Sequence, residues 1–207
     1  MRALTTLIGA SLLAGAALVS TPALAGGVGL IGGGGFGTTP IYAYEADNLQ
    51  PFIYNQLRPR TGLGAQLVLG DRDDRFVGVG RFYWQSELPQ SDDPEAIQAA
   101  ATAGDYGDVT YAINPNTRNV GIGTAGIQWG IWGDRTGGLA FNALTCIGAG
   151  IKTDDAREFL VLELGPGVQY SVNKRVQLNA EVLYQARYRK GFDHAVTGTI
   201  GARYLFD

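Results

Sequence analysis

One cysteine, Cys146, and one histidine, His194, stand among 207 residues. A lone cysteine excludes an intramolecular disulfide, so the fold must be held by strand pairing and packing. Long apolar runs are also missing. After Ala25 no apolar stretch reaches the roughly 18 residues a spanning helix needs, which leaves any crossing of a bilayer to strands. A cationic tract is absent too: without Arg2 the chain carries 15 basic against 19 acidic residues, which removes the electrostatic case for nucleic acid. What the sequence has in excess is glycine, 31 residues of it.

The first residues read as an export signal. Arg2 is a positive start, Leu4 to Val19 an apolar stretch, and Ala23-Leu24-Ala25 a small-residue cleavage site. Ser20-Thr21-Pro22 breaks the apolar stretch and glycine-rich sequence follows, which argues for a removed leader over a retained anchor. The expected organisation is a signal peptide at 1–25 and one domain at 26–207, with no linker or composition step inside it. No cysteine lies near the cleavage site, so a lipid-anchored mature chain is not expected.

Beyond the leader the pattern is period two, clearest from 176 to 189. Val176, Leu178, Ala180, Val182, Tyr184, Ala186 and Tyr188 share one face. Gln177, Asn179, Glu181, Leu183, Gln185, Arg187 and Arg189 share the other. The same alternation predicts strands at about 26–37, 61–70, 75–87, 119–132, 138–152, 157–170 and 194–206. Most are long enough for a tilted strand to cross a bilayer, which takes roughly 9 to 11 residues. The second, fourth and sixth connections, near 70–74, 133–137 and 171–175, are short and rich in turn formers. The first and third, 38–60 and 88–118, are long. Short turns on one side and long loops on the other suit a transmembrane barrel, with the long loops outside and both termini periplasmic.

A soluble eight-stranded barrel would also alternate, with its apolar face inward. Aromatic placement favours the membrane arrangement. On the apolar phase Phe76, Phe141, Tyr170, Tyr204 and Phe206 fall near one end, and Phe82, Trp84, Tyr184 and Tyr188 near the other, as two interfacial girdles would. Gly62, Gly64, Gly148, Gly150, Gly165 and Gly167 fall on the inward phase, where a narrow barrel has little room. The predicted fold class is therefore an all-β, eight-stranded antiparallel transmembrane up-and-down β-barrel.

With these features, most specifically Lys174 to Glu181 and Gly201-Ala202-Arg203-Tyr204-Leu205-Phe206, the chain resembles the small bacterial outer-membrane barrels of the OmpA, OmpX and OmpW type. The resemblance implies a Gram-negative outer-membrane location. It also implies a terminal aromatic recognised by the barrel-assembly machinery; this chain ends Phe206-Asp207, one residue past that pattern.

Chemistry finds little support. A lipid A deacylase of this shape would show a serine two residues after the histidine, but the sequence reads His194-Ala195-Val196, so His194 is expected to be a solvated loop residue. Asp71, Asp73 and Asp74 imitate part of a calcium loop without its glycine and glutamate, and Asp92-Asp93 and Asp154-Asp155 read as charged loop tips. Gly32 to Gly37 is no phosphate loop, because no lysine and helix follow it. No cofactor, metal or catalytic residue is assigned. Residues 91–101 predict a short helix inside the third connection, from an acidic cap, an early proline and alanines. Tyr42, Tyr44, Phe52 and Tyr54 add aromatics to the first loop.

The expected function is non-enzymatic: a monomeric outer-membrane barrel supporting envelope integrity or surface interaction through its long loops, its partners the lipid bilayer and the assembly machinery. The alternatives are a narrow OmpW-like, porin-like channel for small molecules and a lipid A-modifying enzyme. The inward phase carries Arg81, Glu163, Glu181 and Arg203 beside Gln66, Gln85, Gln128, Asn142, Gln169 and Asn179. Counting from the turns places Glu181 across from Arg203 and Glu163 diagonal to Glu181, with Arg81 in reach of both. The expectation is a charged network filling the lumen.

Overall fold

A computed structural model describes residues 25–45, 51–71, 73–88, 94–104, 109–113, 118–152, 158–189 and 192–206. The leader up to residue 24, Asp92, Asp93, Asp154, Asp155 and Asp207 lie outside the described residues.

Nine strands and one helix follow one another. They are β1 (Gly26–Glu45), β2 (Pro51–Leu69), β3 (Phe76–Glu87), α1 (Pro94–Ala103), β4 (Val109–Ile113), β5 (Arg118–Gly133), β6 (Leu139–Lys152), β7 (Glu158–Ser171), β8 (Val176–Tyr188) and β9 (Phe192–Phe206). Every pairing is antiparallel. Neighbours in sequence pair, β3 joins β5 directly, and β9 returns to β1 with Gly26 opposite Phe206 and Gly37 opposite Ala195. Among the described residues this is a closed eight-stranded up-and-down barrel, with β4 outside the ring of eight. Closure leaves no free edge in the ring, which a wall in hydrocarbon requires.

The short turns form through the residues that suggested them. Gly70 and Gly133 adopt φ of +122° and +101°, where a side chain would be strained. Asn173 Oδ1 accepts from the backbone N–H of Arg175 and of Val176, both at 2.8 Å, and Asp134 Oδ1 accepts from Thr136 N at 2.8 Å. Such Asx contacts close a turn in few residues.

Two expectations are corrected. The first connection is not a loop from 38 to 60, because β1 and β2 stay paired from Gly26 opposite Leu69 to Tyr44 opposite Pro51. Side-chain alternation fades there, but the backbone ladder continues beyond the point where β9 ends. Tyr42, Tyr44, Phe52 and Tyr54 thus lie on strands, although their side chains are outside the described set. The third connection holds β4 as well as a helix. β4 pairs with β1 through Tyr42–Glu45, beyond the last β1–β9 pair. Within α1, Ile97 and Ala101 are buried and lie four apart on one face, the spacing by which a short helix covers an apolar surface.

Polarity decides which way the wall faces. Ile200 is 71% exposed and Leu63 69%, whereas Glu163 and Gln169 on the opposite phase are each 1% exposed. The outer face is apolar and the charged groups are inside, the reverse of a soluble barrel. The lumen is not uniformly polar. Ile31, Tyr83, Val120, Ile122, Phe159 and Val161 form one buried cluster, and Val68, Val77, Val79, Leu144, Cys146 and Leu183 another. A bulge between Gly130 and Trp132 turns Ile131 and Trp132 both outward.

Candidate functional site

Strands of an eight-stranded barrel lean so that inward side chains from opposite walls meet at the axis. Arg81 of β3, Glu163 of β7, Glu181 of β8 and Arg203 of β9 all point there and are all buried. Arg81 Nη1 lies 3.6 Å from Glu163 Oε2 and its Nη2 3.4 Å from Glu181 Oε2. Arg203 Nη2 lies 3.4 Å from Glu181 Oε1. The four residues singled out in the sequence therefore form one chain of alternating charge.

The route to that chain differs from the turn-counting argument. Glu181 sits opposite Thr199, not Arg203, and Arg203 sits opposite Gln177. Glu163 sits opposite Gln185, and Glu181 opposite Gly167. The loop between β8 and β9 is centred earlier than the sequence suggested, so the contacts are made by long side chains reaching along the axis.

Neutral groups complete the arrangement. Glu163 accepts hydrogen bonds from Tyr83 Oη, from Gln185 Nε2 at 3.1 Å and from Thr124 Oγ1 at 3.0 Å. Glu181 accepts from Thr199 Oγ1 at 3.1 Å and Asn179 Nδ2 at 3.4 Å. Arg203 donates to Gln128 Oε1 at 2.9 Å and Gln66 Oε1 at 3.0 Å. Each carboxylate is thus compensated by a cation and by several donors, the condition under which buried charge is tolerated.

A second tier, missed in the sequence, lies toward the loop end. Arg60 Nη2 donates to both oxygens of Asp193, at 2.7 and 2.9 Å, and to Thr38 O at 2.8 Å, and lies 3.5 Å from Glu87 Oε1. Arg187 pairs with Glu87, donates to Gln85 and, through Nε at 3.0 Å, to Gln185 Oε1, which joins the tiers. Its guanidinium lies over the Phe159 ring. Arg187 was legible on the polar phase of β8. Arg60 and Asp193 were not, because they were assigned to connections and only the longer strands carry them inward.

The nine aromatics assigned to the apolar phase, Phe76, Phe82, Trp84, Phe141, Tyr170, Tyr184, Tyr188, Tyr204 and Phe206, are all exposed on the outer face. Phe36, Trp129, Trp132 and Phe192 join them. His194 belongs to the strand predicted from 194, not to the loop before it. It lies on β9, facing outward, with Nδ1 2.5 Å from Tyr184 Oη and its ring stacked on Phe192 at 5.8 Å. No serine, cysteine or acid contacts its ring among the described residues, so the nucleophile–base–acid geometry of a hydrolase is not assembled around it. No group of three or more histidine, cysteine and carboxylate residues suited to a metal ion occurs among the described residues.

No protein-family model matches the sequence, and no curated protein is significantly similar to it. Among solved structures the chain is similar to Ail, the attachment invasion locus protein of Yersinia pestis, at 14% identity and a TM-score of 0.42, over 87% of this chain and 99% of that one. For the same protein in complex with the heparin analogue sucrose octasulfate the values are 12%, 0.39, 87% and 99%. A de novo designed transmembrane β-barrel gives 14%, 0.34, 83% and 95%.

Proposed function

We propose that the chain is exported by a leader cleaved after Ala25 and inserted in a bacterial outer membrane as a closed, non-enzymatic barrel. Its working surface is the protruding end built by β1, β2, β4 and α1. The observation that carries this reading is the inverted polarity: a closed wall with an apolar exterior around a buried two-tier charge network. A water-soluble protein would have no reason to expose that band, whereas a bilayer selects it.

The network argues for a plugged lumen over a channel. Eight strands leave an interior that side chains can fill, and here Arg60, Glu87 and Arg187 fill one level and Arg81, Glu163, Glu181 and Arg203 the next. Function then belongs to the parts that project beyond the bilayer. β1 and β2 remain paired past the last β1–β9 contact, and β4 and α1 add to that end, so the barrel presents an ordered platform for surface interaction.

Fractionation and planar-bilayer recording test this together. The protein should sediment with outer membranes, resist salt extraction, and give no large stable conductance. A soluble periplasmic protein would overturn the location, and a large open channel in the unmutated barrel would put the conduit reading first.

A further inference from the structure

Prolines on the strands fall in two kinds of place. Pro40, Pro51 and Pro59 lie beyond the last β1–β9 and β2–β3 pairs, and the β1–β2 ladder runs through all three. Pro166 is different. It lies within β7, on the outer face, with a strand on either side. Leu164 pairs with Tyr184 and Gly167 with Glu181, but the β7–β8 ladder skips Gly165 and Pro166 between them. The adjoining seams, β6–β7 and β8–β9, run past this level without a break.

The cause of the gap is covalent. The Val182 carbonyl faces β7, because a Cβ at Gly165 would run into its oxygen. Pro166 stands where a donor to that oxygen is needed, and proline has no N–H. The carbonyl is left short of its ladder bond in a wall whose outer side chains here, Leu164 and Val182, are exposed to the bilayer, where no water replaces a lost donor. The inner side is thin as well. Gly165 and Gly167 send no side chain into the lumen, and Leu144, Cys146 and Leu183 lie behind them in one apolar cluster. Beside that cluster Asn142, opposite Gly167 and 1% exposed, has both Oδ1 and Nδ2 buried without a hydrogen-bond partner.

This stretch of seam lacks a backbone bond and inner side chains together, with apolar groups on both sides of it. We propose that β7 and β8 part at Pro166 and open the lumen sideways to a slender apolar molecule from the membrane. Arg81, paired with Glu163 on β7 and Glu181 on β8, keeps the parting local and leaves the plug along the axis in place. The weak seam needs no bilayer; only the visiting molecule depends on the membrane location.

Hydrogen exchange read by NMR in detergent micelles tests the seam, and β8 carries its own control. Val182 and Tyr184 turn their amides to β7, whereas Glu181 and Leu183, on the alternate phase, turn theirs to β9. Protection at Val182 and Tyr184 should be at least about tenfold lower than at Glu181 and Leu183, about 1.4 kcal/mol of opening free energy. Pro166→Val supplies the missing N–H and should remove the difference, and Pro166→Ala should do the same with a smaller side chain. In lipid vesicles N-phenylmaleimide, a small apolar reagent, should modify Cys146 at least about tenfold faster in the parent than in Pro166→Val, in step with the lost opening. A sulfonated maleimide that stays in water should be slow on both. Heat-modified gel mobility checks that each variant is folded. Equal protection along the two edges of β8, Cys146 modification unchanged by Pro166→Val, or equal rates for the charged and apolar reagents would overturn the proposal. Membrane location and axial conductance are read by fractionation and planar bilayers, and none of these results bears on them.

Discussion

Two glycines of the barrel wall show how narrowly individual positions are constrained. A Cβ added at Gly33 would meet the Gly198 carbonyl and the Thr199 Cα at 2.8 Å across the β1–β9 seam, and neither is a flexible side-chain end that can move aside. At Gly123 the same atom would meet nothing within 4 Å. Gly33→Ala is therefore expected to cost about 1 to 3 kcal/mol as overpacking, with Gly123→Ala close to neutral, measured by urea unfolding in lipid vesicles. The charge network gives a second contrast at this scale. Glu181→Ala leaves Arg203 and Arg81 with a lost partner in a buried site, and breaking such a pair typically costs about 3 to 5 kcal/mol. The same unfolding experiment should show it. Stability equal to the parent would mean that water replaces the carboxylate, and that the network is ornamental to the fold.

At the scale of the strand, β8 carries the two environments side by side. Leu178 and Val182 are exposed to the outer face, while Asn179 and Glu181 between them are buried in the lumen. Arginine placed at Val182, mid-strand on the lipid side, should cost about 2 to 4 kcal/mol in a bilayer, and less at Leu178, which sits opposite the girdle residue Tyr170. If Val182→Arg folds and unfolds like the parent in lipid vesicles, the outer face is not in hydrocarbon. The protruding elements make a separate prediction. An epitope inserted beside Ala100 in α1 should be reached by antibody on intact cells, whereas one in the 134–138 turn should need a permeabilised outer membrane. The reverse result would invert the topology.

For the whole molecule, the prediction is a wall that spans and a lumen that does not conduct. The plug is joined across the barrel, from Asp193 through Arg60 and Glu87 to Arg187, then by Gln185 and Glu163 to Arg81, Glu181 and Arg203. Removing one link should leave the others in place, so Arg203→Ala alone is expected to stay closed in planar bilayers. Arg81→Ala with Glu163→Ala removes the crossing of the lumen between β3 and β7, and any conductance that can be uncovered should appear there first.

Much of this architecture was readable before the fold. Alternation with period two places each residue on one face of a strand, and the face persists because a one-residue slip would turn every apolar side chain into the lumen. Hence the eight strands of the ring, the inward Arg81, Glu163, Glu181 and Arg203, the outward aromatics and the glycine-bearing turns were all legible in the chain. What periodicity cannot carry is register and reach. The opposition of Glu181 to Thr199 rather than Arg203 depends on where the β8–β9 loop is centred, which is a matter of a few backbone bonds. The extension of β1 and β2 past the ring, and the short β4, rest on backbone hydrogen bonds that continue where side-chain alternation has faded. The second tier follows from that extension, because only a longer β2 brings Arg60 inside to Asp193 and Glu87. The sequence by itself determined which side of the wall each residue takes, since that is local pleat geometry. Tertiary structure alone decided which inward charges meet, since that depends on strand stagger around a closed ring, which no single strand encodes.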